Sequence, residues 1–359
     1  MSVTGLVLIV YMAGLLGVGF WASRRAATQE DFLLGGRSIG PVVAGLAYAA
    51  STSSAWVLLG FTGFVATVGV SALWITPGVI AGYAAVWLWM GPYLNAVSRR
   101  RGFLTALDVI AADAGPATRA VKATAALMIM FCFAFYIAAQ FQGAGAALSE
   151  AFAIERRTAV VAGAAVILAY TFLGGFWAVS LTDTVQGAAI LLIAIVLPLA
   201  AASAAGGLSG VAAAVADQPG AFDAPFGAYA GWSAFGFFIG ISAVGFGAMG
   251  QPHLLTWVMA VKDDAARLQG AAVAIGWGVL VYAGMAVIAL SARALAEPGA
   301  PLGERIVFDM AQTALPGLLP ALVAAAILSA IMSTVDSQLL VASATASHDL
   351  GLARAAPGR

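Results

Sequence analysis

The chain has 359 residues, 62% of them hydrophobic and only 9% charged, and its acidic and basic side chains cancel to zero formal charge. Soluble domains carry roughly 25% charged residues, so a water-soluble enzyme or binding module is excluded, and no basic run looks like a nucleic-acid patch. Cys132 is the only cysteine, which rules out an intrachain disulfide and any cysteine-built metal cluster.

Apolar stretches recur that match or exceed the roughly 20 residues a membrane crossing requires. The fold class is therefore all-α and polytopic, with 1–359 forming a single membrane domain. Nine crossings are predicted. The first, 3–23, lacks a basic leader and is too long for a signal-peptide core, so it reads as a retained span. The second, 40–66, contains AASTSSAW (49–56), where Ser51, Thr52, Ser53 and Ser54 follow one another in an apolar run. The third is 70–97 and the fourth, 120–148, carries Gln140 and Gln142. The fifth and sixth, 157–175 and 178–204, share YTFLGGFWAVSLTDTVQ and place Asp183 inside the membrane. The connection 205–230 has Asp217 and Asp223 but no Lys or Arg, which suits an external loop. The seventh, 231–260, is interrupted by Gly240, Gly245, Gly247 and Gly250, then Gln251, Pro252 and His253. The eighth is 267–293. The ninth, 306–346, exceeds one crossing, and Pro316 and Pro320 mark a short surface helix ahead of its span.

Charge placement orients these crossings. With the N-terminus outside, the inner segments hold twelve basic residues: Arg24, Arg25, Arg37, Arg99, Arg100, Arg101, Arg119, Lys122, Lys262, Arg267, Arg354 and Arg359. The outer segments hold four: Arg156, Arg157, Arg293 and Arg305. That distribution obeys the positive-inside rule. It predicts an inner (plasma) membrane location, N-terminus outside and C-terminus cytoplasmic.

Ionisable groups inside spans are costly and usually mark a pathway or site. Asp183 and Asp336 are two of them. In the ninth span Ala330, Ser333, Thr334 and Ser337 fall at i, i+3, i+4 and i+7 and share one face, with Asp336 beside it. Such a face can hold a small hard cation, which prefers oxygen ligands. It also arises when Ser and Thr bond back to their own helix carbonyls. Four successive hydroxyls at 51–54 compete with backbone bonding and favour a break, which a protein-lined cavity tolerates and lipid does not. A matching break around Gly250 and Pro252 lies five spans later, the pattern by which discontinuous helices build transporter sites. The string GFGAMG formally matches a dinucleotide fingerprint, but no strand precedes it. No GxSxG, HExxH or P-loop is present, so the residues support no enzyme.

Five stretches, in order, carry a family resemblance: DFLLGGRSIGP (31–41), AASTSSAWVLLGFTG, YTFLGGFWAVSLTDTVQ, GQPH (250–253) and AIMSTVDSQLL (330–340). Together they resemble the sodium/solute symporter family, most closely its sodium/proline branch. The resemblance implies a leucine-transporter-like inverted-repeat fold: a leading helix (3–23), a first five-helix repeat (40–204) and an incomplete second repeat (231–346). Family members usually carry further helices, so the chain reads as C-terminally truncated. The implied function is sodium-coupled symport of a small organic solute, proline or another amino or organic acid, by alternating access across a lipid bilayer, with Na+ as the coupling ion. A non-transporting sensor-type domain or an inactive symporter fragment are the alternatives.

Carried over by residue, the resemblance implies sodium ligands on Ala50, Ser53, Ala330, Ser333 and Thr334. It implies a second cation or proton site at Asp183, Asp336 and Ser337. Thr52, Ser54, Trp56, Gln140 and Gln142 are the candidate substrate residues; for Trp56, packing in the core or against lipid competes with that role. Arg37, Gly250 and Pro252 are candidate gate or structural elements. Three positions depart from the proline branch: Thr52 stands where those relatives have an aspartate, and Val244 and Ala248 stand where they have bulky aromatics.

Overall fold

The computed structural model describes residues 2–25, 27–297 and 300–352; Arg354 and Arg359, counted above as inner basic residues, lie outside them. The structure is all-helical, and among the described residues the β structure is one isolated bridge between Ile39 and Val261. In chain order the helices are α1 (Val3–Ser23), α2 (Gln29–Leu34), α3 (Pro41–Thr52), α4 (Trp56–Val68), α5 (Val70–Arg101), α6 (Ala106–Ala111) and α7 (Thr118–Phe152). They continue as α8 (Arg156–Ala204), α9 (Gly207–Ala216), α10 (Gly231–Ala243), α11 (Pro252–Ala260), α12 (Asp264–Leu295), α13 (Ile306–Ala314) and α14 (Leu319–Asp349).

Among the described residues, seven helices are long and apolar enough to cross a membrane, and eight if the bent pair α3–α4 is one span. The fifth predicted crossing, 157–175, is helical as the first half of α8. Its predicted boundary with 178–204 falls where Gly175, with φ 55° and ψ −145°, leaves the helical region and breaks α8 into two helices. A side chain there would be strained, and its Cβ would meet the Phe32 ring at 2.6 Å. The predicted ninth span resolves into the short α13 and the long α14, as Pro316 and Pro320 implied.

The break between α3 and α4 bends the chain by 64°, and its cause lies in the hydroxyl run. Ser51 Oγ donates to the Ala47 carbonyl at 2.8 Å, Thr52 Oγ1 to Ala49 at 2.6 Å and Ser53 Oγ to Ala49 at 3.1 Å. These bonds satisfy carbonyls that the next turn would otherwise need. Ser53 then leaves the helical region (φ −98°, ψ 72°), and Ser54 Oγ accepts from the Trp56 N–H at 3.2 Å to start α4. The second break follows α10. Residues 244–250 tighten into a 3-10 helix, Gln251 is extended, and Pro252 opens α11, where its missing N–H costs nothing.

α14 is the centre of the bundle. Of its most apolar stretch 83% is buried, against 11% for that of Gly231–Gly250. It packs against α8, α7, α1 and α3, so its hydroxyl face meets the α3 break. The loop 205–230 holds α9 and is tied down by the Phe222 carbonyl, which accepts from the Val70 N–H at 2.8 Å.

One end of the bundle is stitched shut. Ile39 N–H donates to the Ala260 carbonyl at 3.3 Å and Lys262 N–H to the Ile39 carbonyl at 3.0 Å, which joins the start of α3 to the end of α11. Arg99 Nη2 donates to the carbonyls of Arg37, Val261 and Lys262 at 2.9, 2.7 and 2.8 Å. Arg37 is buried, ion-pairs with Glu30, and donates to Ser98 Oγ at 2.8 Å and to the Phe103 carbonyl at 2.6 Å. Those bonds hold its backbone at φ 51°, a conformation uncommon for a residue with a side chain. Arg99→Ala is expected to loosen this end. In a Cys132→Ser background, a cysteine replacing the buried Thr256 should react several-fold faster with an impermeant thiol reagent applied from the Arg37 side. Unchanged labelling would mean that Arg99 does not hold the end closed.

Asp108, in the short α6, belongs to the same end. Burial pushes its carboxyl up, but hydrogen bonds from His348, Lys122 and the Leu104 N–H outweigh that and hold it below the usual carboxylate range. A depressed folded value stabilises the fold above the unfolded pKa, and the contribution fades as pH falls through the folded value. His348, Lys122 and Asp349 are the titratable groups facing it. Asp108→Asn is therefore expected to lower the melting temperature at pH 7. From about pH 5 downward the gap to wild type should narrow, the narrowing becoming marked below about pH 4.

Candidate functional site

The predicted ion ligands converge where α14 crosses the break. Ser333 Oγ stands 3.0 Å from the Ala50 carbonyl, 2.9 Å from Ser329 and 3.3 Å from Ala330. Thr334 Oγ1 stands 3.2 Å from the Ser51 carbonyl and 3.0 Å from Ala330. A hydroxyl has one proton, so Ser333 can satisfy only one of its three carbonyl neighbours at a time. Ser333 and Thr334 thus each stand within bonding distance of their own helix carbonyls and of the α3 break. Ala50, Ala330, Ser333 and Thr334 come together. Ser53 is fully buried beside them and donates its N–H to the Ala50 carbonyl at 2.9 Å. All the donors are neutral oxygens, a set that fits an alkali cation.

A second polar cluster adjoins the first. Asp183 Oδ2 accepts from Ser337 Oγ at 3.1 Å and stands 3.0 Å from Ser51 Oγ, whose one proton goes either to it or to the Ala47 carbonyl, and the two hydroxyls are 2.9 Å apart. Trp257 Nε1 donates to Ser51 Oγ at 3.2 Å. Asp336 accepts from Tyr170 Oη at 2.8 Å and from the Ser337 N–H at 2.6 Å. Both aspartates are fully buried. Ser51 thus joins the clusters: its carbonyl faces Thr334 and its hydroxyl faces Asp183.

A cavity of about 410 Å³ opens against the break, lined by Thr52, Ser54, Trp56, Gln140 and by Tyr83, Tyr136, Gln251 and Tyr282. None of its lining residues carries a formal charge. Thr52 Oγ1 is in short contact with Tyr83 Oη, and Gln140 Oε1 accepts from the Ala55 N–H at 3.1 Å. Four of the five predicted substrate residues line this cavity. Gln142 does not: it lines the adjoining cavity of about 480 Å³, which shares Trp56 and Gln140 and leads to Arg156, Glu304 and Arg305. Gly250 and Pro252 flank the second break and line a further cavity that shares Tyr136 and Gln251. Shared lining residues link the three cavities one to the next, and the end of the bundle at Arg37 is the stitched one.

Nothing local in the sequence marks the three tyrosines, Tyr170 or Trp257 as site residues. A tyrosine or tryptophan in an apolar helix looks the same whether it faces lipid or a cavity. Gln251 carried a usable signal, since it sits inside the second break.

Two broken helices, an oxygen-lined crossing point and a cavity in the bundle core define an ion-coupled secondary transporter. The comparisons give the family. Residues 32–355 match the model of the sodium:solute symporter family. The chain is 31% identical over 349 residues to the sodium/proline symporter of Escherichia coli (strain K12), covering 95% of this chain and 69% of that one. It is 30% identical over 346 residues to the high-affinity proline transporter PutP of Bacillus subtilis (strain 168), covering 94% of this chain and 71% of the relative. Its fold matches a structure described as the substrate-bound outward-open state of a Na+-coupled sialic acid symporter. That match has TM-score 0.84 at 19% identity and covers 100% of this chain and 77% of the other. The chain belongs to the sodium:solute symporter family: it is a multi-pass membrane protein that couples solute movement to sodium, and not an enzyme.

Proposed function

We propose that this chain carries a small amino acid of no net charge, proline being the first candidate, together with sodium held by Ala50, Ser53, Ala330, Ser333 and Thr334. The observation that carries the reading is the uncharged cavity built on the same α3 break that contacts Ser333 and Thr334. Hydroxyl and amide groups there pair with a polar solute, and the rings of Trp56, Tyr83 and Tyr282 cover its apolar part. A net anion would find no fixed cation to offset its desolvation. The proline relatives support the choice of solute.

Sodium at the crossing point ties α14 to the α3 break and so favours the arrangement in which the cavity is formed. The solute prefers that arrangement, and the coupling is reciprocal. The end at Glu304 is taken as the outside, with the N-terminus, and the stitched end as the cytoplasm, in keeping with the charge distribution. Release requires the α3–α11 stitch to open. We take 40–204 as the first repeat and 231–346 as part of the second, since each begins with a broken helix. Asp183 and Asp336 are assigned a second cation or a proton, because two adjacent buried carboxyls need a compensating charge. One charge moving down about 100 mV supplies about 2.3 kcal/mol, and a tenfold sodium gradient adds about 1.4 kcal/mol.

Uptake into proteoliposomes tests the reading. Sodium-driven accumulation of proline or a similar neutral amino acid is expected, with none when potassium replaces sodium. Sodium-driven uptake of a net anion instead would overturn the solute assignment.

A further inference from the structure

The stitched end holds a side-chain cluster that transport leaves unused. Asp108 comes from α6, Lys122 from α7, and His348 and Asp349 from the last turn of α14. His348 Nε2 lies 3.0 Å from Asp108 Oδ2 and 3.2 Å from Oδ1. Asp349 Oδ1 accepts from Thr105 Oγ1 at 2.8 Å. One donor atom from each of Asp108, His348 and Asp349 lies within 4.8 Å of the others.

A second observation points to a ligand. The Asp349 side chain is 0% exposed, yet its Oδ2 is buried and accepts no hydrogen bond from any described residue. A bare carboxylate oxygen inside protein is costly, and a cation contact would remove the cost. Lys122 meets part of the demand: its ammonium contacts Asp108 Oδ1 and stands 3.7 Å from Asp349 Oδ1. Its side chain is 22% exposed and ends a flexible stem, so it can swing out to water. Two carboxylates against one ammonium leave an uncompensated negative charge when the imidazole is neutral.

We propose that Asp108, His348 and Asp349 form a binding site for a divalent transition-metal ion of the zinc type, with Lys122 as its built-in competitor. One imidazole nitrogen and two carboxylate oxygens suit zinc and its neighbours better than magnesium or calcium. Bonds of about 2.0–2.2 Å require the donor atoms to close in slightly, which side-chain rotation allows. An ion there would fasten α14, the helix that carries Ser333 and Thr334, to α6 and α7.

Zinc titration of the purified, chelator-treated full chain in detergent is the test, read by calorimetry and by melting temperature. One saturable site is expected, weakened at least tenfold by His348→Gln or Asp349→Asn and tightened by Lys122→Gln. Cys132→Ser, which removes an exposed thiol able to bind zinc by itself, should change nothing. Cobalt should give a visible absorption band that His348→Gln abolishes, a readout independent of stability. No saturable binding, binding untouched by both ligand variants, or loss of binding in Cys132→Ser would each overturn the proposal.

Discussion

Replacing Ser333 and Thr334 together by alanine is expected to raise the sodium concentration that half-saturates transport by roughly 100-fold or more. Each hydroxyl offers a neutral oxygen to a charged partner, an interaction worth about 1.5–3 kcal/mol, and each 1.4 kcal/mol is about tenfold in affinity. The substitution leaves the helix intact, because alanine is the best helix former and the lost back-bonds to Ser329 and Ala330 are replaceable within the ladder. Solute affinity at saturating sodium should change much less, since neither residue lines the 410 Å³ cavity. Sodium-dependence curves at several proline concentrations separate the two effects. Equal loss of both affinities would place Ser333 and Thr334 in general packing.

Gly82→Val is expected to abolish assembly of the pocket. A Cβ at Gly82 would lie 2.0 Å from the Gly245 carbonyl oxygen, and one at Gly78 would lie 2.0 Å from that of Ser242. α5 therefore meets the 3-10 stretch 244–250 backbone to backbone, and that contact sets the second break against Tyr83. The clash is with backbone, so no rotamer change relieves it, and the expected cost exceeds about 4 kcal/mol. The yield of monodisperse protein in detergent should collapse. Gly276→Ala, whose Cβ meets nothing within 4 Å, should leave yield and melting temperature close to wild type. If Gly82→Val folded normally, the close approach of α5 to 244–250 would be refuted.

The sequence declares most of what is polar in this fold. Four hydroxyls in an apolar run mark the α3 break, because their bonding competition is local. Glycines with Pro252 mark the second break for the same reason. Ser333, Thr334 and Ser337 share a face by helical period alone, and Asp183 and Asp336 stand out because charge is rare in lipid. What is hidden depends on rotation and on distant partners. Gln140 and Gln142 are about 200° apart around α7, and nothing local says which faces the cavity; the structure turns Gln140 in and leaves Gln142 to the neighbouring space. Tyr83, Tyr136 and Tyr282 come from three helices and converge only once those helices pack. Asp108 and His348 are 240 residues apart, and no pattern links them.

The central claim is that one sodium ion joins the α3 break to α14. Equilibrium binding of radioactive sodium to the purified chain, without solute, tests it most directly. Saturable binding that potassium does not displace, and that is lost from the Ser333→Ala, Thr334→Ala double variant, is the predicted result. The same binding curve in wild type and double variant would contradict the account.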